Sequence, residues 1–100
     1  MIRVHITCKD EEEAKSVSEH LLKKRLIACS NMHPISSMYW WKGKIEKRTE
    51  FVIDAKAPSA NWDKIQNEVR NVHSYEVPCI IRIEASANKE CEEWIEGESR

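Results

Sequence analysis

Residues 26–56 read LIACSNMHPISSMYWWKGKIEKRTEFVIDAK and contain two mostly extended segments. The segments flank Lys42 and Gly43, and glycine can adopt the positive φ that a tight turn between strands needs. The stretch therefore predicts a long β-hairpin, bent at Pro34. Such a hairpin places two neighbouring antiparallel strands in the middle of the chain.

Further elements are predicted on both sides of this hairpin. Residues 2–8 alternate apolar and polar side chains, as a half-buried strand does. Residues 11–25 begin acidic and end basic, which complements the dipole of a helix. Apolar residues then recur at helical spacing over 62–72, and β-branched residues crowd the segment 77–84. A short acidic helix is predicted over residues 88–97.

The resulting order βαββαβ is typical of an α+β, ferredoxin-like fold, in which an antiparallel sheet carries both helices on one face. Right-handed crossovers predict the strand order 4-1-3-2. A chain of this length buries one core, so we expect residues 1–100 to form a single domain. The long hairpin and the short C-terminal helix are additions to the basic plan. Asp10 is the predicted N-cap of the first helix.

Composition and motifs argue against several classes of function. Sixteen Lys and Arg against seventeen Asp and Glu give a formal charge of -1, so the chain lacks the basic excess that binds nucleic acid. No stretch approaches the roughly 20 apolar residues that span a bilayer, and the N-terminus lacks the apolar run of a signal peptide. We therefore expect a cytoplasmic protein with no membrane partner. No GxSxG, HExxH or glycine-rich phosphate loop is present, and we expect no enzymatic activity.

The segment HSYEVPCI (73–80) brings an imidazole, a phenol, a carboxylate and a thiol to the predicted start of strand four. In the predicted topology this start lies next to the end of strand one, so Cys8, His73 and Cys79 are expected at one end of the sheet. Cys29 begins strand two at the opposite end and could join them only across an interface. Thiolate and imidazole suit copper, zinc and similar metals. The simpler alternative is a core cysteine and a histidine that caps the second helix.

The adjacent Trp40 and Trp41 must point to opposite faces of their strand. One can enter the core while the other faces outward, and aromatic residues are favoured in the cores of interfaces. The pair therefore predicts an oligomer, unless the C-terminal helix covers the outward ring. Tyr75 is expected to anchor an interface. Glu76 is either a third metal ligand or, more simply, the partner of a cation on a neighbouring subunit.

Three motifs in register carry a family resemblance. LIACSN (26–31), SMYWWKGKIE (37–46) and HSYEVP (73–78), at these separations on a βαββαβ order, resemble the CutA family of divalent-cation tolerance proteins. The resemblance implies a homotrimer assembled through the long hairpin strands and a structural kinship with PII-type signalling proteins. It also implies a link to copper and other divalent metals, with no catalytic reaction attached.

Two functions remain open at this point. The first is a homotrimer that binds a copper-type or zinc-type metal ion in cation tolerance or in the response to metal ions. Its candidate ligands are the thiols and the imidazole of Cys8, Cys29, Cys79 and His73; the family pattern has a counterpart for each of them except Cys79.

The second function is a PII-like regulatory module that holds a small anionic ligand in the cleft between subunits. Four residues are expected at that cleft or interface, namely Trp40, Trp41, Tyr75 and Glu76. Such a ligand requires basic residues nearby, and the candidates are Lys9, Lys42 and Lys44.

Overall fold

The computed structural model describes all 100 residues. Its elements are β1 (Ile2–Cys8), α1 (Glu11–Lys23), β2 (Cys29–Trp41), β3 (Lys44–Ala57), a 3₁₀ turn (Ser59–Asn61), α2 (Trp62–Val72), β4 (Ile80–Glu84) and α3 (Lys89–Glu98). The strands form one antiparallel sheet in the order β2-β3-β1-β4, which is the predicted order read from the other edge. The α+β, ferredoxin-like prediction is confirmed.

The hydrophobic core forms where α1 and α2 pack on the sheet. Alternate residues of β1 are fully buried, as its period of two predicts. They cluster with apolar residues of both helices and of β3, which include Val17, Leu21, Ile53, Ile65 and Val69. Burying side chains of this size contributes about 1.5–3 kcal/mol each.

Helix ends and turns follow local chemistry. Asp10 is the N-cap of α1, as predicted, and its Oδ1 accepts the backbone N–H of Glu13 at 2.8 Å. Lys42 and Gly43 have φ angles of 49° and 80°, which is the doubly positive pattern of a tight hairpin turn. None of the helices combines the length and the apolar character needed to cross a bilayer.

The hairpin is much longer than the rest of the sheet. β2 and β3 pair without interruption from Cys29 to Trp41, whereas β1 pairs with β3 only over Phe51–Ala57. Residues 35–50 therefore form a two-stranded extension, which we call the hairpin arm. Pro34 does not break the ladder, because β2 is an edge strand and tolerates the missing donor.

The hairpin arm corrects the prediction for the tryptophans. Trp40 is 72% exposed and Trp41 is 42% exposed, so neither ring enters the core. Both lie in the arm, where no third strand flanks β3. Met38 and Ile45, which lie on the same face as Trp40, are 72% and 58% exposed. The arm thus presents apolar side chains on both faces.

The fourth strand also differs from its prediction. β4 begins at Ile80 and not at Val77, which is 75% exposed. Cys79 is attached to β1 only through its carbonyl, which accepts the N–H of Thr7 at 3.4 Å. Pro78 lacks an N–H, so the ladder gains its donors only after it. Residues 73–79 consequently form a loop that crosses the end of the sheet.

Candidate functional site

Three ligand-type side chains meet where β1 ends. Donor atoms of Cys8, Glu13 and His73 all lie within 4.8 Å of one another, and we call this cluster the corner. Cys8 is the last residue of β1, Glu13 lies in the first turn of α1, and His73 follows the last residue of α2. The topology places Cys8 and His73 together, as the sequence indicates, and adds Glu13 to them.

Both ring nitrogens of His73 have hydrogen-bond partners. Nδ1 accepts the backbone N–H of Tyr75 at 3.0 Å. A backbone N–H can only donate, so the ring proton resides on Nε2, which donates to the carbonyl of Thr7 at 2.7 Å. The side chain is fully buried. His73 is therefore a neutral imidazole that joins the end of α2 to β1.

Glu13 is bonded through both carboxylate oxygens. Oε1 accepts the N–H of Lys9 and Oε2 accepts the N–H of Ser74, each at 3.0 Å. Burial acts to raise the pKa of Glu13, but the hydrogen bonds from Ser74 and Lys9 outweigh it, and the pKa is lowered. Glu13 thus remains a carboxylate although it is only 9% exposed.

The thiol of Cys8 is held in its protonated form. Burial, reinforced by the negative charges of Glu13, Asp10 and Glu50, raises its pKa from 9.0 to about 12. Because a metal ion binds the thiolate, it has to displace this proton.

The other two candidate thiols lie away from the corner. Cys29 is at the opposite end of the sheet, where it is 3.9 Å from the Nζ of Lys56 and 3.5 Å from the Oδ1 of Asn31. Cys79 is exposed in the loop after α2. Within one chain the corner therefore contains a single cysteine, and its third donor is a carboxylate that the sequence reasoning missed.

A cleft of about 1060 Å³ adjoins the corner on the other face of the sheet. Trp41, Tyr75 and Glu76, which the sequence assigns to a cleft or interface between subunits, line this cleft of the single chain together with Cys79. Trp40 does not line it, because it points to the opposite face of the arm.

The charge of the cleft differs from the expectation for an anion site. None of the proposed lysines lines the cleft. Its charged side chains are three carboxylates and one guanidinium, from Glu46, Glu50, Glu76 and Arg48. Within one chain the cleft is acidic and favours cations.

Tyr75 closes the cleft against the sheet. Its hydroxyl donates to Oε2 of Glu50 at 2.5 Å, and the guanidinium of Arg48 lies 5.8 Å from the ring centre. Burial and the adjacent Glu50 raise the pKa of Tyr75. Glu50 is only 4% exposed, so the hydroxyl stabilises a carboxylate that is largely shielded from water.

Comparison with known proteins agrees with this architecture. The family model described as "CutA1 divalent ion tolerance protein" matches residues 2–98. A protein named "Divalent-cation tolerance protein CutA" from Archaeoglobus fulgidus is 42% identical over 94 residues, which cover 93% of this chain and 92% of that protein.

Solved structures show the same fold. A structure described as the periplasmic divalent cation tolerance protein CutA from Archaeoglobus fulgidus has a TM-score of 0.95 at 40% identity and covers 98% of each chain. A PII-like protein CutA from Nostoc sp. PCC 7120 has a TM-score of 0.93, covers 100% of this chain and 98% of its own, and at 22% identity shows the fold alone. With the family model matching nearly the whole chain, this protein belongs to the CutA1 divalent ion tolerance family.

Proposed function

We propose that this chain is a homotrimeric metal-binding protein that takes up copper-type or zinc-type ions in cation tolerance or in the response to metal ions. The observation that carries the proposal is the convergence of Cys8, Glu13 and His73 within 4.8 Å in a family named for divalent ion tolerance. The proposal treats residues 1–100 as one domain and assigns it no catalytic reaction.

The donor set of the corner determines which metals it suits. A thiolate and an imidazole bind soft or borderline ions such as Cu(I), Cu(II) and Zn(II), and a carboxylate oxygen is an accepted zinc ligand. Mg(II) prefers an all-oxygen, octahedral set. The corner therefore fits copper or zinc in donor type and spacing and does not fit magnesium.

Metal binding at the corner has to replace interactions of the metal-free chain. The thiol proton of Cys8 must leave, and at least one hydrogen bond of His73 must break. Proton competition makes the affinity fall as the pH is lowered. Such a site binds metal more weakly than a preformed tetrahedral one, which agrees with uptake of a cargo ion better than with a permanent structural metal.

The hairpin arm supports assembly with copies of the same chain. A two-stranded ribbon is marginally stable alone in water, and the arm exposes both Trp40 and Trp41. Packing arms against neighbouring subunits would bury these rings in an interface of roughly 1,200–2,000 Å² or more. Tyr75 and Glu76 would then lie in a cleft that a neighbouring subunit completes, and Cys29 and Cys79 could add thiolates only through this assembly.

Zinc titration of the metal-free protein against a chelator tests the metal site. We expect Cys8→Ser, Glu13→Gln and His73→Ala each to lower the affinity about tenfold or more, without loss of the trimer. Cys91→Ser, a half-buried cysteine of α3 outside the site, is the matched control and should bind like the parent. If the three corner variants also bind like the parent, the cluster is only a structural junction.

The charges of the cleft include one feature that supports the PII-like alternative and one that opposes it. Arg48 could contact an anion in the cleft, but Glu46, Glu50 and Glu76 surround it. A neighbouring subunit would have to supply the missing positive charge. Calorimetric titration with inorganic phosphate separates the two functions, since the metal proposal expects no heat of binding at millimolar phosphate.

The remaining expectations concern location and partners. We retain a cytoplasmic location as a proposal, although one related structure is described as periplasmic. Fractionation of cells that produce the protein tests it, and recovery in a periplasmic fraction would contradict it. We propose no nucleic-acid or membrane partner, because the formal charge of -1 offers no basic surface excess.

A further inference from the structure

We propose that metal binding at the corner opens the neighbouring cleft, because residues 73–75 connect the two sites. This coupling rests on the proposed metal function. The coupling gives a regulatory role to Tyr75. Its backbone N–H bonds to His73, whereas its side chain does not bond to any of the three proposed metal ligands. In the metal-free state the segment keeps Glu50 covered, and in the loaded state it releases Glu50 into the cleft.

Two backbone hydrogen bonds join residues 73–75 to the corner. Ser74 N donates to Oε2 of Glu13, and Tyr75 N donates to Nδ1 of His73, each at 3.0 Å. The rings of His73 and Tyr75 also lie close, with centres 4.8 Å apart. A change in the position of either ligand side chain therefore moves the backbone and the ring of Tyr75.

The same segment is fastened to the cleft by one side chain. The hydroxyl of Tyr75 donates to Glu50 at 2.5 Å, and Glu50 belongs to β3 on the other side of β1. No regular secondary structure holds residues 73–79 in place. Consequently the position of Tyr75 depends on the corner at one end and on Glu50 at the other.

The corner cannot accept a metal without disturbing this segment. Nε2 of His73 lies 3.7 Å from Oε1 of Glu13, which makes it the ring nitrogen that faces the carboxylate. Coordination through Nε2 removes the hydrogen bond to the carbonyl of Thr7, which fixes the ring against β1. Coordination also displaces the proton of Nε2, and a neutral imidazole then carries its proton on Nδ1. The protonated Nδ1 cannot accept the N–H of Tyr75, so the backbone of Tyr75 is released and the bond between Tyr75 and Glu50 weakens.

Linkage makes the sign of this coupling testable. If metal loading weakens the bond between Tyr75 and Glu50, then removing that bond must strengthen metal binding by the same factor. Tyr75→Phe should therefore bind zinc about fivefold more tightly than the parent. Tyr39→Phe is the matched control, because Tyr39 also lines the cleft but does not bond to Glu50. A purely structural role for Tyr75 predicts unchanged or weaker zinc binding.

Hydrogen exchange of the unmodified protein gives a second readout. We expect the peptide covering residues 73–79 to exchange about twofold faster or more with zinc bound. A metal that only makes its ligands more rigid would slow exchange instead. Zinc binding to Tyr75→Phe at parent affinity or weaker, or slowed exchange in the parent, overturns the coupling and leaves the metal site standing. An absence of zinc binding to the parent overturns the proposed function and the coupling together.

Discussion

The buried thiol of Cys8 should make the parent less stable in mild alkali, and Cys8→Ala should not show this decrease. The pKa of the Cys8 thiol is raised from 9.0 to about 12 by burial and by three neighbouring carboxylates. Since the folded pKa is the higher one, the folded chain retains a proton that the unfolded chain releases. The corresponding stability is fully present below pH 9 and is lost as the pH rises towards 12.

The size of the effect follows from linkage. At pH 8 the thiol is protonated in both the folded and the unfolded state, so almost none of this stability has been lost. At pH 10, one unit above the ordinary thiol value, the unfolded state is stabilised by about 1.4 kcal/mol per protomer relative to the folded state. The full shift of about three units corresponds to about 4 kcal/mol, which is reached only near pH 12.

Urea unfolding at pH 8 and at pH 10 measures this difference. Parent and Cys8→Ala should be compared at equal protomer concentration, because the proposed assembly would make stability depend on concentration. The parent should lose about 1.4 kcal/mol more than Cys8→Ala between the two pH values. Cys79→Ala, which removes an exposed thiol, should lose as much as the parent. Equal losses in the parent and in Cys8→Ala would refute the assignment of the raised pKa to this buried thiol.

Three further predictions concern stability and assembly. The hydrogen bond from Arg3 lowers the pKa of Asp54, so the Asp54 carboxylate stabilises the folded chain above pH 3.8, and this stability is lost as the pH falls through the pKa of the folded state. The urea midpoint should therefore fall less between pH 5 and pH 3 in Asp54→Asn than in the parent. Asp10→Ala should cost about 1 kcal/mol of unfolding free energy through the lost N-cap, and an unchanged denaturation midpoint would contradict this. Trp40→Glu should dissociate the proposed trimer, as measured by light scattering, whereas Trp94→Glu on α3 should leave it assembled; equal masses for both variants would argue against the arm as the interface.

The strands, helices and topology follow from patterns that the sequence displays directly. The alternation in residues 2–8 and the helical spacing of Ile65 and Val69 fix the buried faces. Crossover handedness then gives the strand order, and the order brings Cys8 beside His73. These predictions succeed because each depends on local periodicity and on one topological rule.

Glu13 is not among the predicted ligands because the acidic run Glu11–Glu13 already has an explanation as a complement to the dipole of a helix. A signal was nevertheless available. Glu13 is three residues after the N-cap Asp10, the position from which a glutamate reaches back to the chain before the helix. In the structure it does so by accepting the N–H of Lys9.

The prediction that one of the two tryptophans enters the core was wrong because the hairpin is longer than the strand beside it. Alternation correctly places Trp40 and Trp41 on opposite faces, but a face is buried only where another element covers it. β1 has 7 residues, whereas β2 and β3 have 13 and 14. About half of the hairpin therefore extends beyond the core.

Native mass spectrometry of the metal-free protein, titrated with zinc, is the sharpest test of the corner as a metal site because it reports subunit number and bound metal together. We expect a trimer that gains one zinc ion per protomer. We expect the same trimer without that zinc when Cys8→Ser and His73→Ala are combined. A parent that stays metal-free with excess zinc, or a double variant that takes up the same zinc as the parent, would contradict the claim that the corner is the metal site.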